Sequence, residues 1–242
     1  MSEKLRIDII TLFPEFVDFI LSESIIGRAR RAGTLDIRAH NIRDYSEDKH
    51  RRVDDTPYGG GRGMLMAAPP IYRCYRAIEE DIRSSVNDAA EPGVKPYVIY
   101  MSPRGRVFTN EYAKELSEKG NLVILCGHYE GVDERLIEEI VDEEVSIGDY
   151  VLTGGEVPAC IVADAVGRLV DGVLTLPECH ENESFEGGLL EYPQYTRPAV
   201  WMGREVPDVL LSGHHANIDK WRHEKSVEIT KARRPDLLEK QK

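Results

Sequence analysis

The segment Ser146-Ile-Gly-Asp-Tyr-Val-Leu-Thr-Gly-Gly-Glu156 lies between an acidic, β-rich run and an apolar run with a helical pattern. Its three glycines allow the backbone to approach a ligand closely. The helix that opens near Glu156-Val-Pro158 adds a defined N-terminal edge. No lysine follows as in a P-loop, and the spacing is not the Gly-x-Gly-x-x-Gly of dinucleotide sites. The pattern predicts a ligand-binding loop, and a tight turn that only caps the helix is the alternative.

Strand-like and helix-like patterns alternate on both sides of this segment. Such alternation predicts an α/β fold, in which a largely parallel sheet carries helices on both faces. The first helical segment is expected to close at Gly27 or Gly33. The strands are predicted at 5–12, 35–40, 97–101, 122–126 and 144–147, and later helices at 69–84, 110–119, 132–140 and 157–170.

Three of these strands are followed by stretches that contain glycine, proline or both. They are Met101-Ser-Pro-Arg-Gly105, Cys126-Gly-His-Tyr-Glu-Gly131 and residues 148–155. Ligands of parallel sheets bind beyond the carboxyl ends of the strands. The three loops are therefore expected to converge on one concave site.

The chain is expected to have three parts. Residues 1–170 form the α/β domain, and residues 199–242 form a small helical domain. Residues 171–198 are interpreted as a linker, because they are rich in Glu, Gly, Pro and Tyr and show no clear periodicity. A further long loop at 41–63 is predicted from its length and its glycine-rich end.

Composition indicates a globular protein of 242 residues, 41% of them hydrophobic. No apolar run approaches the ~20 residues that span a bilayer, and the first residues lack the apolar core of a secretory signal. We therefore expect a cytoplasmic protein without membrane contact. The four cysteines form no Cys-x-x-Cys pair and are interpreted as reduced, mostly buried residues.

Charge is unevenly distributed along the chain. The net charge of −12 argues at first against nucleic acid, because Lys and Arg bind phosphate. Residues 25–62 nevertheless carry nine basic and six acidic side chains, whereas residues 130–149 carry nine acidic side chains and one arginine. Segregated charge allows an anionic partner to find one face, and solvated helix faces of both signs are the alternative.

Several side chains are candidates for chemistry. Adjacent histidines at 214 and 215 do not have the i, i+4 spacing of helical metal pairs, so no metal site is assigned. The serines lack the Gly-x-Ser-x-Gly elbow of a hydrolase. A general base needs correct placement before a tuned pKa. The candidate bases are Glu130, Asp149, Glu156, Asp164 and Glu183.

A set of motifs in a fixed order identifies a family resemblance. The set comprises Tyr58-Gly-Gly-Gly-Arg-Gly-Met64, Tyr100-Met-Ser-Pro103, the loops at 126–131 and 146–156, Tyr195-Thr-Arg-Pro198 and Ser212-Gly-His-His215. It resembles the bacterial tRNA (guanine-N1) methyltransferases of the SPOUT superfamily, from Ile9 to Pro235. The resemblance implies a deep trefoil knot in the C-terminal part of the α/β domain and a homodimer with the active site at the subunit interface.

The resemblance also implies S-adenosylmethionine as the cofactor, held in a bent conformation by the three loops. Magnesium is expected to assist, from the resemblance alone. The implied cofactor-binding residues are Tyr100, Ser102, Pro103, Gly127, Tyr129, Glu130, Gly131, Ile147, Gly148, Asp149, Tyr150, Val151, Leu152, Gly154 and Gly155.

The implied reaction methylates N1 of guanosine 37 of tRNA, immediately 3′ to the anticodon. An arginine near O6 stabilises the developing negative charge, and Arg168 matches that family position; a surface arginine at a helix end is the alternative. The family base is the aspartate of an Asp-Ser-Phe motif from the other subunit. This chain has Glu183-Ser-Phe185, so we hypothesise that Glu183 is the base. Another departure is His128, where relatives commonly carry arginine.

The tRNA partner is expected to contact basic and aromatic side chains, since these stack on splayed bases and hold phosphate. Two rival functions stay open: a nucleotide-binding α/β enzyme that does not act on RNA, and a non-catalytic RNA-binding relative. The candidate substrate-binding residues are Arg62, Arg197, Ser212, His214, His215 and Trp221.

Overall fold

The computed structural model describes residues 5–85, 95–174 and 183–239. The chain divides into two compact units, residues 1–174 and 175–242. This division falls inside the stretch 171–198 that was interpreted as a linker.

A five-stranded parallel sheet forms the centre of the N-terminal unit, with the strand order β2-β1-β6-β5-β7. All six residues of β1 are buried, as expected for a strand covered on both faces. The α/β prediction is confirmed. The strands are β1 Arg6–Thr11, β2 Asp36–Asn41, β5 Tyr97–Val107, β6 Asn121–Cys126 and β7 Glu143–Ser146, and the two-residue strands β3 Asp54–Asp55 and β4 Leu65–Met66 pair separately.

Helices cover both faces of the sheet, and alternating side chains of β1 show this directly. Ile7 and Ile9 pack in one hydrophobic cluster with α1, α2, α4 and α6. Ile10 points to the other face and packs with α3 and α5. The helices of this unit are α1 Pro14–Leu21, α2 Ser24–Ala32, α3 Ala68–Ser85, α4 Asn110–Ser117, α5 Glu134–Ile140 and α6 Glu156–Gly167, with a 3-10 turn at Ile42–Tyr45.

Two glycines in the first helical region have different roles. Gly33 ends α2 in the left-handed conformation with φ 76°, as predicted. Gly27 lies inside α2 and does not end it. A Cβ atom on Gly27 would lie 1.8 Å from the carbonyl oxygen of Ser22, so α1 and α2 can approach here only because that atom is missing.

The prediction that Met101-Ser-Pro-Arg-Gly105 forms a loop after the strand is wrong. The chain stays in β5 through Val107, and a register shift between Met101 and Arg106 marks a bulge against β7. Pro103 has no N–H for a ladder bond, and a Cβ on Gly105 would lie 2.3 Å from the backbone of Glu144. Bulges typically redirect side chains near functional sites, so the segment still presents Ser102 and Pro103 beyond the sheet.

The C-terminal unit contains a short hairpin followed by helices. Residues 183–190, within the stretch interpreted as a linker, form a compact turn: the amide of Phe185 donates to the carbonyl of Leu189 at 2.7 Å, and the amide of Leu190 donates to Oγ1 of Thr230 at 2.9 Å. The elements are β8 Val200–Trp201, β9 Arg204–Glu205, α7 Asp208–Leu211, α8 His215–Arg233 and α9 Pro235–Glu239, with a 3-10 turn at Glu186–Gly188.

Two sequence expectations concern burial. Cys74, Cys126 and Cys160 are free and buried as expected, and Cys179 lies outside the described residues. Across the described residues, no helix combines the length and the apolar character that a bilayer crossing requires.

A charged network ties α3 to the sheet. Arg6 is almost fully buried, pairs with the buried Asp8 at 2.7 Å and contacts Asp81 of α3 at 2.6 Å. The hydrogen bond from Arg6 lowers the pKa of the Asp81 carboxyl below its usual 3.8. A lowered folded pKa stabilises the fold above the unfolded pKa, and this contribution is lost as the pH falls through the folded pKa.

The variant Asp81→Asn should therefore be less stable than the parent at neutral pH, by no more than about 1 kcal/mol because Asp81 is half exposed. Urea unfolding at pH 7 and at a series of decreasing pH values below 3.8 should show that the gap closes as the pH falls through the lowered folded pKa. Glu80→Gln, on the exposed side of the same helix, is the matched control and should show no such trend. A gap for Asp81→Asn that stays constant across this range would contradict the assignment.

Candidate functional site

A cavity of about 310 Å³ opens at the carboxyl edge of the sheet in the N-terminal unit. Its size is at the lower end of the ~300–1,000 Å³ typical of small-molecule sites. The bulge of β5, the loop after β6 and the loop between β7 and α6 form its walls, so the predicted convergence of these segments is observed.

Fourteen of the fifteen residues named as cofactor-binding line this cavity. Asp149 does not, and the structure gives no reason to keep it in the wall. Sequence reasoning missed six wall residues that lie beside the named motifs: Met101, His128, Val145, Ser146, Thr153 and Pro158.

The loop at 127–131 is held on two sides. On one side, the amide of Gly155 donates to the carbonyl of Gly127 at 2.8 Å, and His128 pairs with Gly154 in an isolated β-bridge. On the other side, the amide of Met66 donates to the carbonyl of Gly131 at 2.9 Å. Backbone bonds from both directions leave the loop little freedom, which pre-organises the cavity wall.

Glycine is required at two wall positions for different reasons. A Cβ on Gly155 would lie 2.8 Å from Cα of Cys126, which is backbone and cannot rotate away. Gly148 has φ +139°, a conformation that other residues rarely adopt. The Ser146 hydroxyl accepts the Gly148 amide at 3.2 Å and so fixes this turn. The walls thus present backbone where a flat ligand could lie against them.

A buried carboxylate stands at the start of α6, behind the wall. Glu156 is 6% exposed and accepts a hydrogen bond from Oγ1 of Thr11 at 2.9 Å. Nδ1 of His128 is buried, lacks a hydrogen-bond partner among the described residues and lies 4.0 Å from Oε2 of Glu156. The ring of His128 packs edge-on against Phe13 and Tyr129. Glu156, a candidate base in the sequence, therefore pairs with Thr11 and is not one of the residues that line the cavity.

The cysteines near the cavity are not nucleophiles. Burial, with a further contribution from Glu156, raises the pKa of the Cys160 thiol to about 11. Burial also raises the pKa of Cys126 well above its ordinary value. Neither thiol lines the cavity, and their raised pKa values disfavour the thiolate that covalent catalysis needs.

A second cavity, of about 400 Å³, lies within the C-terminal unit. Glu183 and Glu186 line it from the turn after residue 182, and Asp219, Arg222 and His223 line it from α8. The guanidinium of Arg222 lies over the ring of Tyr192 at 5.0 Å and contacts Asp219 at 3.3 Å. Its Nε atom is buried and has no hydrogen-bond partner within the described residues.

One protein-family model, described as tRNA (Guanine-1)-methyltransferase TrmD, matches residues 5–240. The chain belongs to this family. Among curated relatives, proteins named tRNA (guanine-N(1)-)-methyltransferase share 55% identity in Ruminiclostridium cellulolyticum, over 98% of this chain and 97% of the relative. The corresponding protein of Lachnospira eligens is 58% identical over 96% and 94%, and that of Clostridioides difficile is 50% identical over 98% of both chains.

In this member of the tRNA (guanine-1) methyltransferase family, the two candidate catalytic residues are Glu183 and Arg168. Glu183 lines the cavity of the C-terminal unit. Arg168 is the half-buried residue that caps the C-terminal end of α6, with its amide 2.9 Å from the carbonyl of Asp164. The cavity at the carboxyl edge of the sheet lies at the opposite end of α6, and a helix of this length spans roughly 18 Å. Arg168 is not a wall residue of the cavity in its own chain.

The candidate substrate-binding residues of this family member occupy both units. Arg62 is exposed in the glycine-rich loop of the N-terminal unit, and Arg197 is exposed in the C-terminal unit. Ser212 caps the end of α7, while His214 caps α8 by accepting the amide of Asn217 through Nδ1 at 3.4 Å. His215 is the exposed first residue of α8, and Trp221 packs near Tyr195 at 6.3 Å.

No cluster of potential metal ligands is present in the part of the chain that the structure describes. Within 5–85, 95–174 and 183–239, no group of three or more His, Cys, Asp or Glu side chains is arranged to hold an ion. Assistance by magnesium stays a prediction from the family resemblance.

Proposed function

We propose that this protein transfers a methyl group from S-adenosylmethionine to N1 of guanosine 37 in tRNA. Within a chain whose family match spans residues 5–240, one observation carries the proposal: the cavity is walled by fourteen of the fifteen residues expected to bind the cofactor. The N-terminal unit supplies the cofactor site, and the C-terminal unit supplies the candidate base.

The cavity suits a nucleoside-containing cofactor. Its glycines bring backbone N–H and C=O groups to the surface, and these can hydrogen-bond the edge of a flat base without intervening side chains. Burial raises the pKa of the Tyr100 phenol, so this wall residue remains a neutral hydrogen-bonding group. S-adenosylmethionine, when bound, supplies an electrophilic methyl group on a sulfonium.

We propose that Glu183 and Arg168 activate the nucleophile, which is N1 of the target guanine. Guanine N1 carries a proton at neutral pH, and its lone pair becomes available only as that proton leaves. The Glu183 carboxylate accepts the proton, and Arg168 donates to O6, where negative charge develops. Placement of Glu183 in the cavity of the C-terminal unit supports this role, since a carboxylate there can meet a bound base.

A homodimer with a shared active site explains the position of Arg168. Its distance along α6 from the cavity of its own chain is too great for one subunit to use both, so a second copy would bring its α6 end to that cavity. Large apolar side chains support such an association: Phe13, Phe16, Ile20, Val157 and Ile161 are 38–45% exposed on and beside α1 and α6, which pack together. Clustered exposed apolar residues mark interaction surfaces.

The trefoil knot is part of the same proposal. The loop after β6 lies between the segment at Met66 and the turn at Gly154-Gly155, with backbone hydrogen bonds to both. A chain that passes through such a loop would hold the cavity walls together. The knot would thereby keep the cofactor site formed before ligand binds.

The proposed function is tested by methyl transfer from labelled S-adenosylmethionine to unmodified tRNA transcripts. We expect label to enter a transcript with guanosine 37 and not one with adenosine at that position. Calorimetry with S-adenosylhomocysteine, NAD and ATP separates the rival enzymes, because only the first should bind. Binding of NAD or ATP alone would contradict the proposal, and binding of tRNA without transfer would identify a non-catalytic relative.

A further inference from the structure

The turn that carries Glu183 is closed by hydrogen bonds between its two ends. The amide of Phe185 donates to the carbonyl of Leu189 at 2.7 Å, and the amide of Glu191 donates to the hydroxyl of Ser184 at 3.0 Å. Phe185 has φ +77°, a left-handed conformation that a bulky residue rarely adopts. Such a conformation persists only where the surrounding contacts enforce it. The start of the turn is therefore fixed relative to its end.

A threonine of α8 attaches this turn to the helix. Oγ1 of Thr230 accepts the amide of Leu190 at 2.9 Å, across 40 positions of sequence. The same hydroxyl donates to the carbonyl of Ser226, one helical turn earlier, at 2.6 Å. A hydroxyl has one hydrogen and two lone pairs, so the bond to Ser226 uses the hydrogen and leaves a lone pair for Leu190. Thr230 is fully buried, so water does not compete for its hydroxyl.

A second contact lies at the end of the same helix. The guanidinium of Arg234, which caps α8, lies over the ring of Phe185 at 5.8 Å. The amide of Arg234 donates to the carbonyl of Thr230 at 2.8 Å, so the two contacts are adjacent. A cation at this distance from an exposed ring contributes little, and Arg234 also pairs with Asp236 at 2.8 Å. The buried hydrogen bond of Thr230 is therefore the stronger of these two attachments.

We propose that Thr230 is a positioning residue for methyl transfer: its hydroxyl holds the turn on α8 and thereby sets where the Glu183 carboxylate meets the target base. The inference rests on the proposed function, in which Glu183 accepts the N1 proton. Thr230 is not among the residues that line the cavity of the C-terminal unit, so it acts through the turn and not by contact with substrate.

The distance requirement of a general base makes this attachment important. A base acts within about 2.6–3.2 Å of the proton that it removes, and a misplacement of about 1 Å can cost roughly 10²-fold in rate. Without the Thr230 hydroxyl, the amide of Leu190 loses its acceptor and the turn can shift away from the helix. The carboxylate of Glu183 shifts with it.

The test compares Thr230→Val in two backgrounds, the parent protein and Glu183→Gln. Valine has nearly the shape of threonine but lacks the hydroxyl. Single-turnover rates of methyl transfer to tRNA with guanosine 37 are measured with saturating S-adenosylmethionine and protein. We expect Thr230→Val to lower the parent rate roughly 10- to 100-fold. In Glu183→Gln it should change the rate by less than about twofold, because no base is left to position.

A merely structural role of Thr230 would give a different result. Thr230→Val would then lower the rate by the same factor in both backgrounds, or would weaken the binding of S-adenosylhomocysteine together with the rate, and either result would overturn the proposal. Thr230→Ser keeps the hydroxyl and should restore most of the parent rate. Thr230→Ala lacks the hydroxyl without placing a methyl where the oxygen was, and should repeat the pattern of Thr230→Val.

A control hydroxyl is available in the N-terminal unit. Thr109 caps α4 by accepting the amide of Tyr112 at 3.2 Å, so it makes the same kind of bond far along the chain from the turn. Thr109→Val should leave the single-turnover rate unchanged in both backgrounds. A loss of rate in this control equal to that of Thr230→Val would show that the effect is not specific to the turn and would overturn the proposal.

Failure of this inference is distinguishable from failure of the proposed function. If the parent protein methylates guanosine 37 and Glu183→Gln is slow, but Thr230→Val turns over like the parent, only this inference is lost. Near-normal turnover by Glu183→Gln would reject the base and with it the role of Thr230. If the parent protein does not methylate tRNA with guanosine 37, the proposed function itself is wrong.

Discussion

Glu183→Gln should lower the single-turnover rate of methyl transfer to tRNA by about 10²- to 10⁴-fold, the range that a general base contributes. The amide has nearly the shape of the carboxylate but cannot accept the N1 proton. The backbone carbonyl of Glu183 accepts the amide of Glu186 at 3.2 Å, and this bond does not depend on the side chain. We therefore expect the variant to bind S-adenosylhomocysteine like the parent.

Two further variants make this measurement specific. Glu183→Asp restores the residue of the family motif and should retain most of the rate, since the carboxylate is kept. Glu191→Gln removes a carboxylate from the same segment but outside the cavity walls, and should leave the rate unchanged. Near-normal turnover by Glu183→Gln would reject Glu183 as the base, and one of the other cavity carboxylates would then need testing.

Gly155→Ala should weaken the binding of S-adenosylhomocysteine by at least about tenfold, which corresponds to about 1.4 kcal/mol. The added methyl would lie 2.8 Å from Cα of Cys126 and 2.9 Å from the amide nitrogen of Gly127. Both are backbone atoms, so relief requires the loop after β6 and the turn before α6 to separate. Overpacking of this kind typically costs about 1–3 kcal/mol of stability as well.

A control substitution at Gly213 distinguishes the effect of a steric clash from the effect of backbone strain. Gly155 has φ −82°, which alanine adopts without strain, so its effect would come from the clash alone. Gly213 has φ +71° and open space around its Cβ position. Gly213→Ala should cost about 1 kcal/mol of stability through backbone strain and leave cofactor binding unchanged. Isothermal titration and thermal unfolding measure both effects, and unchanged affinity in Gly155→Ala would show that the wall can relax.

Local patterns were sufficient to locate the five strands of the parallel sheet, but not to give their order. The strands β1, β5 and β6 contain apolar or β-branched runs, β2 alternates Ile37 and Ala39 with polar residues, and the helical periodicity between strands is read from neighbouring residues. The end of α2 at Gly33 follows from the same local rule. The bulge in β5 did not follow, because it depends on how closely Gly105 approaches Glu144 of another strand.

For the candidate site too, some features could be predicted from the sequence and others could not. The glycine-rich loops were found from composition, and the cofactor was named only through the family resemblance. Contact between His128 and Glu156, the exclusion of Asp149 from the cavity wall and the cavity around Arg222 gave no sequence signal. Each depends on side-chain directions after packing.

By itself, the sequence determined the α/β alternation, the three loops at the end of the sheet and membership of the tRNA (guanine-1) methyltransferase family. Only the tertiary structure decided which side chains meet. The hydrogen bond from Thr11 to Glu156 joins residues 145 positions apart, and no periodicity of period two or 3.6 carries such information. The same physical reason applies to Arg222 and Tyr192, whose guanidinium and ring lie 5.0 Å apart after packing.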